Sequence, residues 1–246
     1  MDPHEYELMY RMERQHWWYM GMEALTRALL RRWAGSKRPL RILDAGCGAG
    51  AAMTTYLAEY GDVTGIDISP LALDFCRLRK AQRLARASLL DLPFAPATFD
   101  LVASFDVIYE RAVPDDLAAL QEISRVLACD GLLLLRAPAY DWLRGRHDRR
   151  VHTARRYTAR RLAALLQSAG LALEHLTYAN MFLFPLVAMK RWLERLWPSP
   201  ADTSDLSFEV GCMDGFFRAV LTAEAPLASR FRLPFGLSVI AVGRKK

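Results

Sequence analysis

A glycine-rich turn after a short apolar run constrains this chain more than any other feature. Ile42 and Leu43 lead into an acid, and three glycines follow at alternate positions before a helical pattern begins: Asp44, Gly46, Gly48 and Gly50. This pattern predicts a buried strand, a tight turn and a helix N-terminus. Glycine permits the sharp turn and the close approach of a ligand, and the helix end offers unpaired N–H groups. The segment therefore predicts a ligand-binding loop.

A second predicted strand ends in Asp67, twenty-one residues after Gly46. A carboxylate at this point can accept both hydroxyls of a ribose, which indicates a nucleotide-type cofactor. The glycine spacing departs from the dinucleotide fingerprint G-x-G-x-x-G at its third glycine. In addition, Asp44 would repel a pyrophosphate and attract an ammonium group. These features favour S-adenosylmethionine (SAM), which carries an amino acid tail and a sulfonium but no phosphate.

Five segments in order make the chain resemble the class I SAM-dependent methyltransferases of the bacterial small-molecule type. They are residues 43–50, 65–69, 88–94, 99–106 and 120–135. The resemblance implies an α/β fold with a Rossmann-like sheet of seven strands, an antiparallel last pair and a helical cap. We expect a cap over 1–36, the SAM-binding domain over 37–180 and 237–246, and an inserted helical lid or acceptor region over 181–236.

The resemblance also assigns the cofactor contacts. The loop residues Asp44, Ala45, Gly46, Gly48 and Gly50 should hold the methionine moiety, with Asp67 on the ribose and Ile68 on the adenine. Asp91 should accept from the adenine amino group beside Leu92. Ser104, Phe105 and Asp106 should line the sulfonium end, with Trp18 as a further contact. Asp91 could instead be a turn residue before Pro93, and Asp67 a helix cap, although Ser69 and Pro70 supply that cap better.

Composition narrows the class of protein. The 246 residues carry a net charge of +6 and are 52% hydrophobic, which suits one α/β domain with an appended cap. The start has no signal-peptide pattern, and no apolar run is long enough to span a membrane. Four cysteines are scattered without metal-ligand spacing: Cys47, Cys76, Cys129 and Cys212. We therefore expect a reduced, cytoplasmic monomer or homodimer without disulfides, metal or an integral membrane segment.

Periodicity predicts the remaining elements. Residues 3–34 have helical spacing, strands are expected near 41–45, 62–68, 85–90, 99–106 and 131–137, and helices near 50–60, 70–82 and 115–128. Thr158 is expected to cap a helix that ends at Ser168 before Gly170. Residues 171–179 and 237–242 read as the last two strands. The insertion between them contains an apolar segment, 181–197, and a helix near 214–228.

An arginine-rich stretch follows the fifth strand, where ligands bind in open α/β sheets. Its density suits binding of phosphate or carboxylate oxygens. The predicted acceptor-binding residues are Arg149, Arg150, His147, His152 and Tyr157, together with Asn180 at the end of the sixth strand. A solvated surface loop is the alternative. Relatives share His16–Trp18, His147–Asp148 and Arg155–Thr158, so part of the cluster could be a framework feature.

The predicted catalytic residues are Glu110, Tyr109, His16 and Tyr178. Relatives commonly carry a Glu-His pair after the fourth strand, whereas here Tyr109 and Glu110 are followed by Arg111. The usual histidine base is therefore missing, and an acid and a phenol remain near the methyl donor. They could stabilise a cation or remove a proton after methylation of carbon. Alternatively, Glu110 caps a helix or pairs with Arg111, and the aromatic segment around His16 is core.

Four hypotheses follow. The preferred one is methylation of a small, anionic, partly apolar acceptor, with a short prenyl diphosphate such as isopentenyl diphosphate methylated on carbon. The alternative is O- or N-methylation of a natural product or a glycan or lipid intermediate, with His147 or His152 as the base.

Nucleic-acid methylation is disfavoured because the strand ends in Ser104–Asp106 without the Asn/Asp-Pro-Pro-Tyr motif. A silent SAM-binding module is disfavoured because the cofactor segments are complete. Segment 181–197 could touch a membrane or form a packed lid.

Overall fold

The computed structural model describes residues 2–36, 38–196 and 213–246, and in this part of the chain seven strands form one sheet. The strands are β1 Leu40–Ala45, β2 Gly61–Asp67, β3 Leu84–Arg86, β4 Phe99–Phe105, β5 Leu127–Pro138, β6 Leu171–Ala179 and β7 Ser238–Lys245. Their order is β3-β2-β1-β4-β5-β7-β6. β1 to β5 pair in parallel, and β7 runs antiparallel to both β5 and β6. The predicted Rossmann-like sheet with an antiparallel last pair is confirmed.

Helices connect the strands. They are α1 Pro3–Met12, α2 Trp17–Trp33, α3 Ala51–Thr54, α4 Pro70–Leu78, α5 Asp116–Val126, α6 Arg146–Arg150, α7 Ala159–Ser168, α8 Phe184–Leu196 and α9 Asp214–Arg230. Side-chain caps set several of their starts, because an oxygen at the N-cap accepts from an otherwise unpaired N–H. Ser69 accepts from Ala72 N at 3.5 Å, and Thr158 accepts from Arg161 N at 3.3 Å.

One helical prediction is wrong in extent, since the helix expected over 50–60 ends at Thr54. The helical segment expected over 3–34 is confirmed and is divided into α1 and α2, because His16 caps α2 with Nδ1 accepting from Trp18 N at 3.3 Å. A capping side chain starts a new helix even where the apolar spacing continues through the break.

Each face of the sheet is covered by its own pair of helices. One core packs α5 and α7 against the sheet, and the other packs α2 and α9 against the opposite face. α2 and α9 approach closely at Gly21, where a Cβ would lie 2.5 Å from Leu221 Cβ. Both helices therefore form a layer on this face of the sheet, and α1 and α8 contribute to the cavity at the carboxyl ends of the strands.

Candidate active site

A cavity of about 940 Å³ lies at the carboxyl ends of β1, β2, β4 and β5 and is also lined by α1, α2 and α8. This volume is near the upper end of the range for small-molecule sites, about 300–1,000 Å³, so it has room for a cofactor and a second small molecule. Parallel strands place their terminal side chains at one edge, which is why the predicted cofactor residues meet here. Those that line the cavity are Asp44, Gly46, Gly48, Asp67, Ile68, Phe105 and Trp18.

The glycine loop is packed too closely for larger residues. Gly46 has a φ of +88°, and a Cβ there would lie 2.3 Å from Val107 Cγ2. The N–H groups of Gly46 and Cys47 donate to Ile66 O at 2.9 and 2.8 Å, so the turn is fixed to β2. The loop is thus held rigid on its underside while its upper side faces the cavity.

Asp44 ends β1 beneath this loop and is only 2% exposed. Its Oδ2 has no hydrogen-bond partner among the described residues. Burial, followed by the charges of Glu13 and Asp67, raises the pKa of Asp44 to about 7, while Arg136 acts in the opposite direction. A buried carboxylate without a partner is costly unless a ligand cation or donor pairs with it.

Asp67 ends β2 on the same wall. Its Oδ1 accepts from Ser69 N at 2.9 Å and its Oδ2 accepts from Gly48 N at 3.1 Å. These bonds join the ends of β1 and β2 and orient the carboxylate, and burial raises its pKa. A carboxylate has capacity for about four hydrogen bonds, so two places remain for ligand hydroxyls.

The helix α1 covers the glycine loop. A Cβ at Gly48 would lie 2.9 Å from Met9 Sδ. Arg79 ties this helix down, since it donates to Tyr10 O at 2.7 Å, Ala49 O at 2.8 Å and Glu13 Oε2 at 3.0 Å. Burial raises the pKa of Glu13 to about 7 in spite of the Arg79 guanidinium. α1 is therefore a wall of the cofactor end of the cavity.

The opposite wall carries the predicted acid and phenol. Tyr109 and Glu110 line the cavity after β4. Burial, followed by the charges of Asp67 and Asp106, raises the pKa of Glu110 to about 7. Burial also raises the pKa of Tyr109, so this phenol stays protonated at neutral pH. The structure thus brings both groups together beside the predicted sulfonium end.

Aromatic side chains enclose the remaining space. Trp17, Trp18, Tyr19, Phe105 and Phe217 line it, as does the apolar face of α8. His16 lines it too, but its Nδ1 caps α2 and its Nε2 is buried without a partner among the described residues. Burial lowers the pKa of His16. With Nδ1 as an acceptor the proton resides on Nε2, which is the wrong tautomer for Nε2 to act as a base.

The predicted adenine contacts at Asp91 and Leu92 are not brought to the cavity. Asp91 is exposed, and its N–H donates to Ser88 O at 3.2 Å in a turn. Leu92 is buried in the core, and Glu122 Oε2 accepts from its N–H at 3.1 Å. The turn instead places Ala87, Ser88 and Leu89 in the wall. Ala45, Gly50 and Ser104 also lie outside the lining, because they belong to the strand core or to the start of α3.

Two predicted acceptor residues, Tyr157 and Asn180, and one predicted catalytic residue, Tyr178, lie in the framework of the fold. Tyr157 is fully buried and donates to Asp116 Oδ2 at 2.9 Å. Tyr178 stacks on Tyr140 at 5.2 Å between ring centroids, and its hydroxyl accepts from Ala159 N at 2.9 Å. Asn180 is buried behind the wall, with an unpartnered side-chain amide in the described part of the chain. None of the three lines the cavity described above.

Most of the arginine stretch is committed to local structure. Arg156 binds both oxygens of Asp148 at 2.9 and 3.0 Å and donates to Ala139 O at 2.9 Å. Arg150 lies 3.8 Å from Glu5, and His152 lies 2.9 Å from Asp2. Arg149 is exposed, and Arg149, Arg150 and His152 lie outside the cavity lining. The side chain of His147 falls outside the described part of the chain.

Two cavity residues were missed by the sequence analysis. Glu13 falls within a stretch of helical spacing in the sequence and belongs to no recognisable motif. Arg136, by contrast, had a signal, because it is a charge directly after the run Leu132–Leu135 in a strand buried on both faces. A charge in such a run is informative because charged side chains are almost never fully buried unless they are paired.

Comparison with known proteins agrees with this geometry. A family model described as a methyltransferase domain matches residues 43–135. This match and the seven-stranded sheet together support a place for the chain among the class I SAM-dependent methyltransferases. A demethylmenaquinone methyltransferase of Staphylococcus aureus (strain MRSA252) is 33% identical over 108 residues, which are 41% of this chain and 44% of that protein. The chain thus spans less than half the length of this curated relative.

Solved structures share the fold over most of the chain. One is in the complex between the Haloferax volcanii Trm112 methyltransferase activator and a methyltransferase, with a TM-score of 0.60, 20% identity, and coverage of 95% of this chain and 90% of that one. Another is geranyl diphosphate C-methyltransferase from Streptomyces coelicolor A3(2) in complex with Mg²⁺, geranyl diphosphate and S-adenosyl-L-homocysteine. It has a TM-score of 0.58 and 17% identity, and the match covers 90% of this chain and 77% of that one.

The residues that the structure describes lack two features. They contain no group of three His, Cys, Asp or Glu side chains placed to hold a metal ion. They also contain no helix with the length and apolar character needed to cross a membrane.

Proposed function

We propose that this protein transfers a methyl group from SAM to a small, partly apolar acceptor that carries an anionic group. The observation that carries the proposal is Asp44, a buried carboxylate in the cavity wall whose Oδ2 has no partner in the described structure. Such a group requires a ligand cation. The ammonium of SAM supplies one, and Asp67 offers free acceptor capacity for its ribose.

The residues present suit this cofactor better than a dinucleotide. Glu13, Asp44 and Asp67 give the cofactor end a negative character, which opposes a pyrophosphate. When bound, SAM supplies an electrophilic methyl on a sulfonium. The chain's own contribution is to orient the acceptor, exclude water with α1 and α8, and remove a proton.

Glu110 is the base that we propose for the proton step. A base is most effective when its pKa is near the working pH, and the pKa of Glu110 is about 7 because of burial. Tyr109, whose pKa is raised, would remain a hydrogen-bond donor beside it. His16 is less suited, since its Nδ1 is engaged as the cap of α2.

The chemical class of the acceptor is a more specific proposal than methyl transfer itself. A carbon atom of a short prenyl diphosphate, such as isopentenyl diphosphate, is the first candidate, because the aromatic wall suits an alkene and a developing cation. The solved geranyl diphosphate C-methyltransferase supports methylation of this class on the same fold. A quinone-like ring is the second candidate, supported by the demethylmenaquinone methyltransferase of S. aureus.

Two measurements test the proposal. Titration calorimetry with S-adenosylhomocysteine (SAH) should show binding to the wild type and a loss of at least about tenfold in Asp44→Asn, the value of one hydrogen bond to a charged group. Asp74→Asn is the matched control, since it changes an exposed acid of α4 outside the cavity. Methyl-labelled SAM is then incubated with isopentenyl and geranyl diphosphates, their alcohols, and phenols. Binding of SAH without transfer to any acceptor class would refute the catalytic part.

A further inference from the structure

Arg136 is a buried charge at the centre of the sheet. It pairs in register with Phe105 of β4 and Ile240 of β7, is 8% exposed and lines the cavity. A leucine would continue the apolar run of β5 at no electrostatic cost. A guanidinium in this place costs several kcal/mol of desolvation unless it is paired on all sides.

The pairing of Arg136 is only partial. Its Nε donates to Asp106 Oδ2 at 2.6 Å, and its Cζ lies 5.1 Å from the ring centroids of both Trp18 and Phe105. These contacts use one of five N–H donors. The two Nη atoms have no hydrogen-bond partner within the described residues, although the side chain faces the cavity.

Other buried arginines of this chain differ in this respect. Arg156 uses all three nitrogens, on Asp148 and on Ala139 O. Arg79 uses Nε and Nη2, on two carbonyls and on Glu13. In both of these arginines, protein oxygens accept from at least one Nη atom as well as from Nε. Arg136 is left with four donors directed at no protein oxygen in the described structure.

We infer that Arg136 binds an anionic oxygen of the acceptor, a subsite that deepens the proposed methyl transfer and rests on it. The guanidinium is planar and presents its Nη donors as a fork suited to a carboxylate, a phosphate or an enolate-type oxygen. Trp18 and Phe105 flank the fork and would hold the apolar body that carries this oxygen. Asp106 neutralises one edge of the guanidinium and fixes its orientation.

The position also suits the reaction. Asp106 follows β4, and Tyr109 and Glu110 follow in the same loop and line the same cavity. An oxygen held at Arg136 would place the body of the acceptor between the first turn of α2, which carries Trp17 and Trp18, and the proposed base. The subsite lies on a central strand, so it selects acceptors by charge with little freedom to adapt.

The test uses pairs of probes that differ only in charge. They are geranyl diphosphate with geraniol, and 2-naphthoate with 2-naphthamide. Binding to the SAH complex is measured by calorimetry, and methyl transfer from labelled SAM is measured in parallel. In the wild type we expect the charged member of at least one pair to bind tighter by about tenfold or more. Arg136→Gln should abolish that preference with a loss of about 30-fold or more for the charged member.

The controls separate this inference from the proposed function. SAH affinity of Arg136→Gln must stay near the wild-type value. Its unfolding midpoint should fall because Asp106 loses its partner, so binding is measured at a temperature where both proteins are folded. Arg136→Lys should keep part of the charge preference. Equal losses for charged and neutral probes would overturn the subsite. So would a loss confined to Arg149→Ala, which would return anion binding to the surface arginines. Because binding is measured without turnover, absence of methyl transfer would count against the proposed function alone.

Discussion

Replacement of Asp44 by Asn should stabilise the protein while it destroys the cofactor site. Burial and two neighbouring acids raise the pKa of Asp44 from 3.8 to about 7. A difference of about three pH units between unfolded and folded states corresponds to about 4 kcal/mol at pH 7 and above. This is the energy by which the ionised carboxylate destabilises the ligand-free fold. Asn removes the charge with little change in shape.

The net gain should be smaller than this limit. The Asn amide is also buried, and an unpaired amide costs about 1–3 kcal/mol. We therefore expect Asp44→Asn to raise the free energy of unfolding at pH 8 by about 1–3 kcal/mol. SAH affinity should fall at least about tenfold, so that stability and binding change in opposite directions.

The pH dependence gives the sharper measurement. Between the unfolded and folded pKa values the native state binds more protons, so the contribution of Asp44 to stability falls as pH rises through this window and is constant above about pH 7. At pH 5 the cost is about 1.6 kcal/mol, so the difference between variant and wild type should shrink by about 2–3 kcal/mol from pH 8 to pH 5.

Urea denaturation at several pH values, with Asp74→Asn as the control, measures this difference. The subtraction removes the titration of the other acids in the cavity, which both proteins share. A difference that does not change with pH would show that Asp44 is paired and ionised in the free protein. Unchanged SAH affinity in Asp44→Asn would refute the ammonium assignment even if the stability change were found.

Three further changes test other parts of the molecule. At saturating SAM, kcat/KM for the acceptor should rise with pH through about 7, because Glu110 must lose its proton to act as a base. Glu110→Gln should lower kcat/KM about 100-fold and remove the inflection from the pH profile. A pH profile that is unchanged in this variant would exclude Glu110 as the base. Gly21→Ala should destabilise the fold by about 1–3 kcal/mol in urea, since its Cβ would lie 2.5 Å from Leu221 Cβ, and Leu221→Ala should relieve the effect in the double variant. Glu224 accepts from Asn180 N at 2.6 Å and from Phe182 N at 3.1 Å, and so fixes the chain before α8. Glu224→Ala should therefore raise the acceptor KM without changing SAH affinity. Equal weakening of acceptor and SAH binding would show that Glu224 acts on the fold as a whole.

Local patterns of the sequence predicted the sheet well. The sixth strand was expected at 171–179 and is Leu171–Ala179, and Thr158 caps α7 as expected. These succeed because alternation, caps and terminal glycines are short-range signals. The break at His16 was missed because the apolar spacing continues through it, whereas the cap depends on a ring nitrogen that helical periodicity does not register.

The acceptor side could not be predicted in the same way. The density of arginines near 144–156 suggested an anion site, but density does not show which oxygens lie nearby. Arg155 donates to Val113 O and Pro114 O, and Arg156 binds Asp148. These guanidinium groups therefore bind loop carbonyls and an internal carboxylate of the protein itself. Such partners are set by tertiary contacts between distant segments. The less conspicuous Arg136 lines the cavity and is buried, and its Nη atoms have no partner among the described residues.

The choice of cofactor in this fold is decided by charge more than by backbone shape. A glycine turn with exposed N–H groups favours anions, and dinucleotide sites use it in that way. Here Glu13, Asp44 and Asp67 stand around the same turn, and burial holds the pKa of Glu13 and of Asp44 at about 7. Glu13 and Asp44 are therefore partly protonated at neutral pH, and Asp44 becomes fully ionised when a cation pairs with it. In the ligand-free site the clustered acids repel one another, and a bound cation relieves this repulsion. The same residue, Asp44, should therefore weaken the ligand-free fold and select a cationic cofactor.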